Sequence, residues 1–329
     1  MTSRTVYPIT TIGAPLVERL PQTGRWGTVF ALFRRSCYLE SVDGQVFCLA
    51  DYRLGEGPLT MGVGFPENIA LCSLGVSDGC HLEMDGVDLR LGRSAVLTIA
   101  GASIWSPEPS GANASPEEIL RRLDALTSLV RPLIPSEGLA GIVAHAGVLA
   151  KGKLPSIDSA NPVACVAIPY LSRLSDGLAC SGLKTIDESV TRLLGLGPGL
   201  TPSGDDLLGG MLIALRAMPD TSSQPSLDLF AECVTRHAAV KTTRISSAML
   251  EQSAKGNGSA AQHLLLNCLL GVDTDSKITS ADLNLIRIGH TSGWDMLAGI
   301  LLGIYLGLRM NQALEATSAP IQETIGVPA

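Results

Sequence analysis

Charge is scarce in this sequence, and basic charge is scarcer than acidic: 24 Lys and Arg stand against 31 Asp and Glu, a net charge of −7, with charged residues making only 17% of the 329. No run of basic residues occurs, which excludes the phosphate-neutralising surface of a nucleic-acid binder. Low charge combined with 46% hydrophobic residues excludes extensive disorder. Aromatics are also few, 4% of the chain. The core must therefore be aliphatic, and 35 glycines allow helices to approach closely. The eight cysteines form no Cys-x-x-Cys pair. Cys165, Cys233 and Cys268 sit in apolar patterns and read as reduced structural thiols, a zinc site being the weaker alternative. Residues 1–20 carry Arg4, Glu18 and two prolines without a long apolar stretch, unlike a signal peptide. The most hydrophobic stretch, Met296–Leu308, is 13 residues long, short of the roughly 20 that cross a bilayer. The expectation is a cytoplasmic protein with no nucleic-acid or membrane partner.

The patterning predicts an α+β chain with a β-rich domain over 1–109, barrel- or sandwich-like, followed by a mainly helical domain over 110–329. Thr28–Phe33 and Cys37–Val42 are rich in strand formers. Asp43-Gly44 and Asp85-Gly86 each divide two short strand-like runs, which is a strong hairpin signal. Ser94–Ile99 supplies a further strand. A connector rich in Pro, Ser, Gly and Asn, Ser106–Ser115, marks the boundary. Ser115-Pro116-Glu117-Glu118 then caps a helix running to about Val130. Val163–Tyr170 is a strand or a buried helix segment. Beyond Lys184 the pattern is helical, with helices expected over Thr185–Leu194, Ser203–Ala217, Ser226–Val240, Ala260–Leu270, Ser280–Ile288 and Ser292–Leu308.

Two of those helices begin alike. Ser203-Gly204-Asp205-Asp206-Leu207-Leu208-Gly209-Gly210 and Ser292-Gly293-Trp294-Asp295-Met296-Leu297-Ala298-Gly299 share Ser, Gly, a carboxylate three after the Ser, Leu and Gly at matching offsets, 89 positions apart. Ser with Asp three residues on reads as a capping-box-like start, with Gly in the first turn leaving backbone N–H groups bare for an anion. Small-residue stripes at Gly210 and Ala214, and at Gly299, Gly303 and Gly307, predict that the two helices pack together with their N-termini on one pocket.

The segment before the first start, Gly195-Leu196-Gly197-Pro198-Gly199-Leu200-Thr201-Pro202, is neither a P-loop nor G-x-G-x-x-G. Its alternating glycines suit a nest of N–H donors for phosphate or carboxylate. The bland alternative is an ordinary helix–helix loop. Asp205 and Asp206 weigh against it, since one carboxylate suffices for a cap. A pair beside an anion nest calls for a cation such as Mg²⁺, or for a ligand that also carries N–H groups. His290 is a general acid/base or an anion donor, or merely structural; Asp295 is a cap or a ligand. In Lys241-Thr242-Thr243-Arg244-Ile245-Ser246-Ser247 the hydroxyls of Thr242, Thr243, Ser246 and Ser247 around Arg244 resemble an oxyanion-binding set, or else form a polar helix entrance with a solvated Arg.

Together, Gly197-Pro198-Gly199-Leu200-Thr201-Pro202-Ser203-Gly204-Asp205-Asp206, Thr243-Arg244-Ile245-Ser246 and Gly289-His290-Thr291-Ser292-Gly293-x-Asp295 resemble the motifs of a bacterial family, once of unknown function. The family includes the smallest subunit of the oxamate carbamoyltransferase of allantoin degradation, a route of purine catabolism. The resemblance implies a part in carbamoyl transfer: oxalurate plus phosphate giving oxamate plus carbamoyl phosphate, or the reverse. It also implies partner subunits. Gly197, Gly199, Thr201, Ser203, Gly204, Thr243, Arg244, Ser246, Ser292 and Gly293 would then bind a small anionic substrate, with Asp205, Asp206, His290 and Asp295 as the catalytic candidates. No cofactor is firmly implied; Mg²⁺ would fall to Asp205 and Asp206. Two other classes compete: a self-contained Mg²⁺-assisted hydrolase or kinase acting on a phosphorylated small molecule, and a non-catalytic ligand-binding or scaffold subunit.

Overall fold

The computed structural model describes residues 5–92, 95–107, 112–155, 161–219, 221, 224–272 and 282–318. Among these described residues nine strands come first: β1 (Thr5–Gly13), β2 (Thr23–Leu32), β3 (Ser36–Ser41), β4 (Val46–Asp51), β5 (Thr60–Val63), β6 (His81–Asp85), β7 (Asp88–Leu91), β8 (Ala95–Thr98) and β9 (Ser103–Trp105). A one-turn helix, α1 (Ala14–Val17), follows β1. The hydrogen-bonded order β5-β4-β3-β2-β6-β7-β8-β1 closes on itself through β1–β5. The fold is thus an eight-stranded barrel rather than a sandwich, and β9 is added outside in parallel with β1. β1 effects the closure by dividing its length: Thr5–Pro8 pairs in parallel with β8, and Ile9–Ile12 pairs antiparallel with β5.

Both Asp-Gly pairs turn hairpins as expected, between β3 and β4 and between β6 and β7, with Gly44 and Gly86 at positive φ. The barrel core is mostly aliphatic, with a stacked Trp26–Phe47 pair whose ring centroids lie 4.5 Å apart and an edge-on Tyr7–Phe65 pair at 5.2 Å.

At the barrel wall, buried Asp51 is held by Arg35 at 2.9 Å and Arg53 at 2.7 Å. These hydrogen bonds, those of Arg53 foremost, lower its carboxyl to about 2 despite burial. The stability this group contributes is complete above the ordinary Asp value and lost as pH falls toward 2. Asp51→Ala leaves two guanidinium groups facing each other and should cost about 3 kcal/mol at neutral pH. Urea unfolding at pH 7 checks this, and a shift below about 0.5 kcal/mol would reduce the cluster to surface decoration.

The helical part contains α2 (Pro116–Val130), α3 (Ala146–Leu149), α4 (Pro162–Ala179), α5 (Leu183–Leu193), α6 (Ser203–Ala217), α7 (Pro225–Lys241), α8 (Arg244–Ala254), α9 (Ala260–Leu270) and α10 (Ser292–Ser318). Ser115 caps α2 through the Glu118 N–H, and Ser259 with Gln262 forms a capping box on α9. Val163–Tyr170 belongs to α4, which carries Pro169 in its interior; that proline is why helical periodicity alone does not settle the segment. Of the helix expected over Ser280–Ile288, Asp282–Arg287 forms a 3₁₀ turn, and residues 280 and 281 lie outside the described residues. α10 runs past Leu308 to Ser318, and its span Ser292–Ala313 has the length and apolarity to cross a membrane. Its residues are mostly buried against the other helices, and that burial accounts for the apolar run.

Two hydrophobic clusters result, one inside the barrel and one among the helices. Ile245 and Ala248 of α8 belong to the barrel cluster, so α8 joins the two halves. Arg244, at the start of α8, reaches Glu40 of β3 at 2.5 Å and lies over the Phe30 ring at 4.2 Å.

Candidate functional site

α6 and α10 lie side by side and parallel, related by an approximate two-fold axis legible in their glycine contacts. A Cβ on Gly210 would fall 2.4 Å from the Met296 carbonyl oxygen, and one on Gly299 would fall 2.0 Å from that of Leu207. Met296 is the counterpart of Leu207, and Gly299 that of Gly210, at the same 89-residue offset. Farther along, Gly303 packs on its counterpart Ala214 and Gly307 on its counterpart Met218. At Gly210 and Gly299 backbone touches backbone, so no larger residue fits there.

At their N-terminal ends the helices depart from the capping expectation. Asp205 N–H and Asp206 N–H donate to the Pro202 carbonyl, and Trp294 N–H and Asp295 N–H to that of Thr291. Ser203 is therefore the first residue of α6, behind an N-cap at Pro202 that has no side-chain cap bond. The freed hydroxyls face across the axis instead, Ser203 toward Asp295 and Ser292 toward Asp206. The N–H groups of Gly204 and Gly293 are not bare either, since they donate to Leu196 and Ile288 at 2.9 and 3.0 Å. Glycine is required at both because a Cβ would sit 2.0 Å from the Leu193 oxygen and 1.9 Å from that of Leu285.

The three carboxyls behind this joint are all buried. Asp205 accepts from Gly195 N–H at 2.8 Å, the Ser246 hydroxyl at 2.7 Å and the Thr242 hydroxyl. It ties α6 to its preceding loop and to α8. Burial raises its pKa, opposed by the Thr242 hydrogen bond. Asp295 accepts from Leu139 N–H at 2.6 Å, and burial raises it too. Asp206 is raised well above the usual range, by burial first; the Ser292 bond opposes this, and the charges of Asp295 and Asp205 add to it. Thr201 stands beside Asp206 as well, and the Thr201 and Ser292 hydroxyls lie 2.9 Å apart. Asp206 Oδ2 is buried and has no hydrogen-bond partner.

These carboxyls do not suit Mg²⁺. Asp205 and Asp206 point to different partners, and among the described residues no three His, Cys, Asp or Glu side chains gather where a metal ion could sit. Their donors are hydroxyls and backbone N–H groups, the surroundings of a carboxyl rather than of a hard cation.

The paired N-termini open on a cavity of about 1010 Å³ whose lining includes Gly199, Thr201, Ser203, His290 and Ser292. Gly199 has φ +100°, and a Cβ added there would meet nothing within 4 Å, while Gly197, φ +110°, turns the chain against Ser203. The Thr243 hydroxyl donates to the Leu200 carbonyl at 2.5 Å and caps α8 through Ser246 N–H, so it steadies the loop from outside. Arg244 is not in this lining, because Glu40 and Phe30 hold its guanidinium toward the barrel. His290 is the basic side chain of the described lining; it is exposed and meets Glu137 at 2.6 Å.

The opposite wall was not foreseen from sequence. It comes from residues 135–138, fixed by the Asn161 side chain, which donates to the Ser136 and Gly138 carbonyls at 2.9 and 2.8 Å. Asn161 preceding Pro162 was the available signal, a cap with proline at the first helical position. Tyr38 of β3 also reaches the cavity, by a contact between the halves that no local pattern encodes. No solved structure matches the chain. Over residues 193–304, which hold both sister helix starts and the segment that caps α8, the chain matches the model of the family described as oxamate carbamoyltransferase subunit AllH, the family its motifs resemble.

Proposed function

We propose that the chain is a cytoplasmic subunit of a carbamoyltransferase acting on small anionic amides, oxamate or oxalurate with carbamoyl phosphate or phosphate, and that it supplies an anion-binding cavity to a complex with partner subunits. The observation that carries this reading is the opening of two parallel helix N-termini onto one cavity. Their dipoles add at that mouth, and the loop Pro198–Thr201 presents backbone and hydroxyl groups beside them. The carboxyls behind the mouth repel an anion little, because burial favours their neutral forms. Glu137 and His290 at the rim suit the amide N–H and the carboxylate of such a substrate. Binding and charge stabilisation, rather than a nucleophile, would supply the rate. Arg244 does not face the cavity in this arrangement and would serve the site by fixing α8.

Gly199→Val tests the reading. The space at Gly199 is open, so the substitution opposes only its positive φ, costing about 1–2 kcal/mol locally. Thermal unfolding should shift little, while binding of oxamate, oxalurate and phosphate, titrated with partner subunits present, should be lost. Unchanged affinity for all three would remove the anion site and leave a scaffold subunit.

A further inference from the structure

The outer cavity, onto which the paired helix N-termini open, holds about 1010 Å³. That is the upper end of the range that encloses a drug-sized ligand, about 300–1,000 Å³, and far more than oxamate or phosphate fills. Its lining is mostly apolar, and part of it is left in water at the mouth. Phe33 is 45% exposed and Leu200 44%, and Pro162 and Pro198 are exposed as well. Phe33 meets Tyr38, which also lines the cavity, edge to face at 6.2 Å, so the barrel sets an aromatic lip beside the glycine loop. Exposed apolar side chains around a deep opening have the make-up of an interface core.

Charge is the second observation. Among the described residues the acidic and basic side chains of the lining are Glu137 and His290, which face each other at 2.6 Å. No Lys or Arg belongs to that described lining, since Glu40 and the Phe30 ring hold Arg244 away. A carboxylate and a phosphate bound together bring charge that an Arg or Lys ordinarily meets. We infer that the mouth of the outer cavity is the docking surface for a partner-subunit segment that packs on Phe33 and Leu200 and carries an Arg or Lys into the cavity, completing the anion site in trans. The inference rests on the reading of this cavity as an anion site. Glu137, with 65% of its side chain exposed at the rim, attracts a cation and repels an acid, and the chain as a whole carries −7. The incoming segment is therefore basic. A second copy of this chain fits worse, because its own mouth would present the same Glu137 and, among the described lining, no Lys or Arg.

Phosphate and oxamate, titrated into the chain alone and into the assembled complex, test the inference. The complex is expected to bind each about thirtyfold or more tightly, the worth of one hydrogen-bonded charge pair. Equal affinity overturns the inference and leaves the anion site standing; binding to neither overturns the anion site and the inference with it. Phe33→p-benzoylphenylalanine, irradiated in the complex and mapped by mass spectrometry, locates the segment. Crosslinks are expected on one partner-subunit stretch with an Arg or Lys a few residues away. Changing that residue to Ala should return both affinities to those of the chain alone while the subunits still co-elute. Crosslinks confined to this chain or to a second copy of it, a segment without Arg or Lys, or an alanine variant that binds as tightly as the unaltered complex would each refute the inference. Should the Phe33 variant not assemble, the affinity comparison on the unaltered proteins still decides.

Discussion

Gly299→Val is expected to cost about 3–5 kcal/mol, enough to unfold much of the helical half at 37 °C. The added Cβ would fall 2.0 Å from the Leu207 carbonyl oxygen and 3.0 Å from the Met211 nitrogen, both main-chain atoms of α6. Neither can turn aside as a side chain can. Relief requires α6 and α10 to separate, and that opens the most closely packed seam of the helical core along its length. Gly210→Val should behave alike, because the approximate two-fold axis exchanges the two contacts. Gly141→Ala is the control: nothing lies within 4 Å of the new methyl group, and its cost should stay below about 1 kcal/mol. Urea unfolding of the three variants checks the ranking. Similar midpoints for Gly299→Val and Gly141→Ala would show that the helices are not in backbone contact.

Asp206→Asn should lower carbamoyl transfer, assayed with the partner subunits, by about two orders of magnitude while leaving the protein as stable as before or more so. The shape of the side chain is kept and the neighbouring hydroxyls of Ser292 and Thr201 can reorient, so what is lost is a carboxyl able to hold and release a proton. The sign of the stability effect follows from protonation. A carboxyl raised in the folded state holds its proton there at pH values where the unfolded chain has released it. Its ionisation therefore erodes stability as pH climbs above the ordinary Asp value of about 3.9, and Asp206, Asp205 and Asp295 all act in this direction. Replacing Asp206 should flatten that decline. Asp51 acts oppositely and in a more acidic window, so the barrel loses stability on acidification where the helical core gains it. Stability measured from pH 4 to pH 8 on wild type and Asp206→Asn separates the two. Parallel curves would mean that Asp206 is ordinary, and full activity in both Asp205→Asn and Asp206→Asn would favour a scaffold role.

Features written in short-range sequence were the ones legible before the structure. The Asp-Gly hairpins, the Ser115 cap and the span of α6 depend on neighbouring residues and were recovered nearly as read. The sister segments were recognisable because matching backbone contacts demand matching glycines, and their helices do pair. The purpose of Ser203 and Ser292 was not legible. Ser followed three residues later by Asp looks the same whether the hydroxyl caps its own helix or crosses to another, and only the pairing decides. Closure of the barrel by β1 depends on partners 49 to 90 residues away. The contributions of Tyr38 and Glu137 to the outer cavity are likewise products of long-range packing.

The dependence of α6 on α10 also sets an order on assembly. Every residue of α6 except Arg216 is buried, and the seam it forms is with a helix 89 positions later in the chain. All eight barrel strands, by contrast, are in hand once Thr98 has emerged. During synthesis the barrel can close while α6 still waits, its apolar faces without their partner, until α10 leaves the ribosome. Over that interval the nascent chain is most open to aggregation and to chaperone capture, and slowing translation between the codons for Ala217 and Ser292 would lengthen it.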